Sequence, residues 1–281
     1  MVELLRALAA VVEPPSPALQ PIVEALGIDS PGDAVAHADL FDFQLPPYAS
    51  IYVGAEGMIG GEARDRIAGF WRVLGLDPPD EPDHLTVLLA FYARLVESET
   101  ETRGERNVAA ARQTRHAFFW EHLASWLPAW LAAVDTIGPP SYRQWAALLG
   151  EVIAREAVEL GPPARLPLHL RVAPPLPDPR KEGAEAFLAA LLAPVRSGLI
   201  VADRDLKGAA AELEVGIRAI DRRRALTSLV GGHGPEALRW IAELAERWAD
   251  RATAPALEIV DGFWRARAGE TAALARSLAD G

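Results

Sequence analysis

The chain has 281 residues, half of them hydrophobic, no cysteine and a formal net charge of −11. That length and apolar fraction suit one large or two modest folded domains and exclude global disorder. The lack of cysteine excludes disulfides, thiolate metal sites and a cysteine nucleophile, and the negative charge argues against general nucleic-acid binding. The acid is unevenly placed. Residues 1–160 hold 11 Arg against 23 Asp and Glu, a net of −12, whereas 161–281 hold 17 Lys and Arg against 16 acids, a net of +1. An acidic surface steers basic ligands toward itself; a plain solubility role is the competing reading.

The opening MVELLRALAAVVEPP carries Glu3 before Arg6 and is broken by Glu13 and two prolines. It lacks the basic start and unbroken apolar run of an export signal, and no run of 18 apolar residues exists to span a membrane. Short helices are expected over 2–12 and 17–27. In GGEARDRIAGFWRVLGL, Ala63, Ile67, Phe70, Trp71 and Leu74 recur at helical spacing, and PDHLTVLLAFYARLVESE repeats the pattern. A long helix follows over 104–127, and another over 139–161 with prolines at its start and Gly161 at its end. Only SIYVG (50–54) and SGLIVAD (197–203) read as strands, and neither has a hairpin partner. Seven prolines between Pro162 and Pro179 then leave no room for regular helix, so this stretch reads as an extended connector or a surface loop. Helices return at about 183–193, 203–215, 218–230, 235–250 and 254–278. The fold class is all-α. A helical domain spans 1–160, a proline-rich connector 161–182 and a C-terminal helical region 183–281.

Motifs of common chemistry are missing. There is no Gly-x-Gly-x-x-Gly, Walker A loop, Gly-x-Ser-x-Gly or His-Glu-x-x-His. VGGHGPE (230–236) reads as a helix stop followed by Pro235 in the next first turn. A di-iron bundle needs Glu-x-x-His pairs, and none is present. His116 and His122 are six apart and share no face well, while His37, His169 and His233 stand isolated. The run Arg222-Arg223-Arg224 reads as a solvated helix face, or as a contact to a client or a phosphate.

Three stretches hold more interest. LPPYASIYVGAEGMIGG (45–61) presents Tyr48 and Tyr52 on a stiffened loop, which suits a contact surface or a core plug alike. DPPDEPDHL (77–85) reads as a helix start with Asp80 or Glu81 as cap, Pro82 at the first position and Asp83 in the first turn. That leaves His84 unexplained. A charged imidazole is disfavoured at a helix N-terminus, whereas a neutral one could bond across a groove. HAFFWEHLASWLPAW (116–130) concentrates Trp120, Trp126 and Trp130, with Pro128 expected to bend or end the helix. The tryptophans read first as core and second as a peptide groove.

In this order these stretches resemble the TorD/DmsD/NarJ family of chaperones dedicated to molybdenum-containing redox enzymes. The carriers are PPYASIY (46–52), EPDH (81–84) and HLASW (122–126), the second one residue short of the usual Glu-Pro-x-Asp-His; the resemblance covers residues 35–160. It implies an all-helical, non-enzymatic, cytoplasmic protein, monomer or homodimer, with no cofactor of its own. Its implied partner is the apo catalytic subunit of a molybdopterin oxidoreductase, bound through a twin-arginine signal peptide or equivalent segment. That subunit would be held for insertion of molybdopterin guanine dinucleotide before export. Weak guanine nucleotide binding occurs in some members. The resemblance assigns signal-peptide or client contact to Tyr48, Ser50, Tyr52, Trp71, Glu81, Asp83, His84, His122 and Trp126, with Asp83 and His84 expected to face a groove. A twin-arginine leader is basic and apolar, and the −12 half holds all three motifs. The alternatives are a metal-dependent helical-bundle enzyme using His116 and His122, and a helical scaffold or regulatory protein.

Overall fold

A computed structural model describes residues 1–29, 33–216 and 221–281, and every regular element among them is helical. In chain order α1 is Val2–Ala10, α2 Gln20–Ala25, and α3 Ala34–His37, which widens into a π segment over Ala38–Gln44. Then come α4 (Ala49–Val53), α5 (Gly61–Val73), α6 (Leu85–Glu101) and α7 (Glu105–Phe118). A second π segment, Phe119–Ala124, precedes α8 (Leu127–Ile137) and α9 (Pro140–Leu160). The proline-rich stretch holds α10 (Leu168–Val172) and α11 (Pro179–Glu182). The C-terminal region comprises α12 (Ala184–Leu191), α13 (Pro194–Ser197), α14 (Asp203–Glu212), α15 (Arg222–Gly232), α16 (Gly234–Ala249) and α17 (Glu258–Ala279). No helix is long and apolar enough to cross a membrane among the described residues.

Several expectations change. SIYVG is the body of α4 rather than a strand, and 199–202 follows α13 without forming any regular element. The helix expected over 104–127 is broken twice. It widens at Phe119, then stops at Trp126, whose φ of −137° leaves the helical region just before Pro128 in the first turn of α8. The start expected at 218 lies outside the described residues. The connector is not without helix. Pro167 caps α10 and Pro179 opens α11, where a missing N–H costs nothing, and the other prolines lie between helices. It is also pinned: Leu168 N donates to Glu121 Oε2 at 2.7 Å, and Arg267 donates to Ala173 O at 2.9 Å. Leu170 of α10 is buried in the first core.

The apolar face of α6 packs as its period requires, with Leu85, Leu88, Leu89 and Tyr92 all buried against α1 and α7. Trp120, Trp126, Trp130 and Trp145 fill the centre of this first core. Each indole N–H donates to a backbone carbonyl, such as Trp130 to Leu45 O at 3.3 Å and Trp145 to Leu8 O at 3.0 Å, so burial strands no donor there. A second core joins α12 and α14 through α17. The two cores meet at α17, where Trp264 reaches into the first and donates to Ser125 O at 3.0 Å. Arg222 is a staple rather than a solvated face: its Nη2 donates to Phe43 O at 2.6 Å and Gln44 O at 2.8 Å. Arg223 pairs with Glu185 at 2.7 Å.

Candidate functional site

α4 is short, and its first amides need partners from outside the helix. They come from the Asp83 region. Ala49 N donates to Asp83 O at 3.0 Å, and Ser50 N to Asp83 Oδ2 at 3.3 Å. Leu85 N donates to Pro47 O at 2.8 Å, which makes an antiparallel bridge centred on Tyr48 and His84. Ser50 Oγ accepts from Gly60 N at 3.0 Å and so fixes the loop that follows. The PPY and PDH stretches are thus one clasp.

This corrects two expectations. Asp83 does not face a groove: it is 1% exposed, and its carboxylate caps α4 from across the clasp. Nor do Asp80 or Glu81 cap a helix with Pro82 at its first position. α6 begins at Leu85 with His84 in the capping position and no side-chain cap, because residues 83–85 are held extended by their pairing with 47–49. Ser50, Tyr52 and Trp126 are also buried. Tyr52 stacks on Trp126 at 5.3 Å and donates to Pro46 O at 2.8 Å.

Three side chains remain at the surface of the clasp: Tyr48, Glu81 and His84. Tyr48 meets His84 edge-on at 4.8 Å and donates from its hydroxyl to Glu81 Oε1 at 3.0 Å. Partial burial, then the bond to Glu81, pushes the phenol up to about 12, with Asp83 and Asp42 adding to it. Burial lowers the His84 pKa although Glu13, Glu81 and Asp83 pull the other way, so the imidazole sits neutral at the start of α6. The patch is therefore a phenol and a neutral imidazole set among carboxylates. It can accept hydrogen bonds from, and pair with, a basic segment.

Trp71 and His122 lie in a separate aromatic chain. Trp71 stacks on Phe91 at 3.9 Å, Phe91 meets Phe118 at 5.0 Å, and Phe118 meets His122 at 5.3 Å. The indole nitrogen of Trp71 and Nδ1 of His122 are buried with no partner among the described residues. Burial holds the His122 pKa down at about 3, and that of His169, whose ring is 6.2 Å away, at about 4. His169 looked isolated in the sequence, and no local spacing connects it to His122. His116 turns instead toward Trp120 at 6.4 Å. No group of three or more His, Asp or Glu side chains that could hold a metal ion occurs among the described residues.

A family model described as "Nitrate reductase delta subunit" matches residues 32–132, a segment that contains the clasp, α5, α6 and the tryptophan stretch. Over 87 residues the chain is 33% identical to the "Chaperone protein TorD" of Vibrio vulnificus strain YJ016, which covers 30% of this chain and 40% of that protein. It is 31% identical over 87 residues to the protein of the same name in Vibrio cholerae serotype O1 strain M66-2, which covers 30% and 39%. The aligned stretch thus spans about two fifths of these relatives. Residues 32–132 are thus similar to the nitrate reductase delta subunit family and to TorD chaperones, over little more than a third of this chain.

Proposed function

We propose that this chain is a cytoplasmic assembly chaperone, not an enzyme. It binds the apo catalytic subunit of a molybdopterin oxidoreductase through a twin-arginine signal peptide or an equivalent N-terminal segment. It holds that subunit for insertion of molybdopterin guanine dinucleotide before export and carries no cofactor of its own. The observation that carries this reading is the family match over residues 32–132, which contains all three motif stretches. Charge supports it. Glu13, Asp42 and Glu81 act on the half-buried pair Tyr48 and His84, which is where a basic leader finds complementary charge and an aromatic edge.

The test is a pull-down from the native cytosol while the client is being made. Wild type is run beside Tyr48→Ala/Glu81→Ala/His84→Ala and, separately, Asp83→Ala. Wild type recovers one molybdoenzyme catalytic subunit, and the triple variant recovers at least tenfold less at unchanged melting temperature. Asp83→Ala acts through folding. It removes the α4 cap and lowers stability by about 1–2 kcal/mol. No molybdoenzyme subunit on wild type sinks the reading; equal recovery by the triple variant moves the contact away from the clasp.

A further inference from the structure

Between the two cores lies a cavity of about 320 Å³, walled by α8 on one side and by residues 200–202, α14 and α16 on the other. Its volume is at the lower end of what small-molecule sites occupy. The wall is largely apolar, with Ile137, Ile200, Leu244 and Trp248. Three charged side chains break it, and each is in a different state. Asp205 is committed, since its Oδ2 accepts Ala202 N at 2.8 Å and holds the start of α14. Arg251 is half committed. Its Nη2 donates to Asp261 Oδ1 at 3.0 Å and its guanidinium lies 5.2 Å from the Trp248 ring, but its Nη1 is buried with no partner among the described residues. Arg247, on the rim, has no ion pair or hydrogen bond with any described residue.

A buried guanidinium nitrogen without an acceptor is costly. Here it stands in the wall shared with a second, smaller cavity of about 210 Å³ over Leu131, Ile153 and Leu257. One buried guanidinium nitrogen of Arg251 without an acceptor, a solvent-facing Arg247 at the mouth and an apolar wall carrying an indole point to the missing group: an acceptor of one negative charge on an apolar body. A dianion is less well matched, because Asp205 faces the same space. We propose that the cavity between the cores binds a small amphipathic monoanion, with its aliphatic or aromatic body against Trp248, Ile137 and Leu244 and its head group on Arg247 and Arg251. The site is independent of the clasp and of the client reading. Because its walls come from both cores, an occupant fastens them together and raises the melting temperature.

The probe is 8-anilinonaphthalene-1-sulfonate, an aromatic monoanion whose fluorescence rises in apolar surroundings, titrated onto the intact chain. Octanoate and octylammonium then serve as competitors of equal length and opposite charge. Thr136 is an exposed residue on the cavity wall whose Oγ bonds only within its own helix, to Ala132 O at 2.8 Å, so Thr136→Trp fills the site without touching the fold. Expected are one saturable site, displacement by octanoate and not by octylammonium, at least tenfold weaker binding in Arg247→Met, and loss of the site in Thr136→Trp. The proposal is overturned if dye uptake is the same in wild type and both variants, if octylammonium competes as well as octanoate, or if no saturable uptake occurs.

Discussion

Lowering the pH from 7.5 to 5 should destabilise this protein through two histidines that its core keeps neutral. His122 sits between Phe70 and Phe118, each ring 5.3 Å away, and His169 lies beside it at 6.2 Å. Burial is the main cause that holds His122 near 3, with His169 adding, against an ordinary value of 6.5. Burial first, then the neighbouring Arg66, holds His169 near 4, while Glu62 opposes. The sign follows from proton counting. Above about 6.5 neither state binds the proton and the full stability is present. As the pH falls below that value the unfolded chain takes up protons that the folded one refuses until about 4 for His169 and 3 for His122, so stability is lost across that window. At about 1.36 kcal/mol per pH unit, each histidine contributes a loss of about 2 kcal/mol at pH 5, about 4 kcal/mol together. Against a total of roughly 5–15 kcal/mol that is a large fraction. Urea unfolding at a series of pH values between 5 and 7.5 reads it directly. His122→Leu keeps an apolar side chain between the two phenylalanines and should halve the dependence. A wild-type loss below about 1 kcal/mol, or an unchanged slope in His122→Leu, would refute the reasoning.

Two further predictions concern the scaffold. Arg115 is buried between α6, α7 and α9, donating to Tyr92 Oη at 3.1 Å and to Glu99 and Glu159 at 3.0 Å, and pairing with the fully buried Glu156. Arg115→Met leaves that carboxylate buried without its counter-charge, held only by the Tyr92 hydroxyl, and should cost about 3–5 kcal/mol, whereas Arg115→Met/Glu156→Leu should recover most of it, as a urea double-mutant cycle will show. Gly198 has φ +74°, and a Cβ there would stand 2.3 Å from Ala268 N and 2.7 Å from Trp264 O. Gly198→Ala should therefore push α13 off α17 and cost about 3 kcal/mol or more. A melting temperature within a degree of wild type would contradict that close approach.

Helical period made most of the fold legible. α5, α6, α9, α16 and α17 each carry an apolar stripe that the structure buries. What stayed hidden was decided by contacts between distant segments. SIYVG has β-type composition, yet Asp83 supplies a cap that no local residue offers, and α4 forms. The start of α6 moved from Pro82 to Leu85 because pairing with 47–49 holds the chain extended, a tertiary demand that outweighs local capping signals. The helix and π segment over 34–44 went unread because their polar and apolar residues follow neither a clean 3.6-residue nor a two-residue period. In the site, the three motif stretches were visible, but which of their side chains face outward was not. Spacing fixes a residue's place on its own element and says nothing of a partner arriving from 33 residues away.

That distinction changes how the Asp-His pair works. The aspartate ties two loops together from inside, and the histidine beside it is thereby turned toward Tyr48 and held out of the core. On the proposed reading one residue sets the geometry and its neighbour presents the chemistry, so Asp83→Ala and His84→Ala should weaken client binding for different reasons. The acidic excess of residues 1–160 gains a location in the same way. Spread evenly it would be a solubility charge, but Glu81 accepts from the Tyr48 hydroxyl, and Asp42 and Glu13 lie near enough to act on Tyr48 and His84 respectively. Carboxylates around a partly buried phenol favour its neutral, protonated form and leave the patch with negative charge. On the proposed reading, a cationic segment laid over them is attracted to that charge. The affinity of the clasp for a basic peptide should accordingly fall with added salt, more steeply than that of a site held by apolar contact alone.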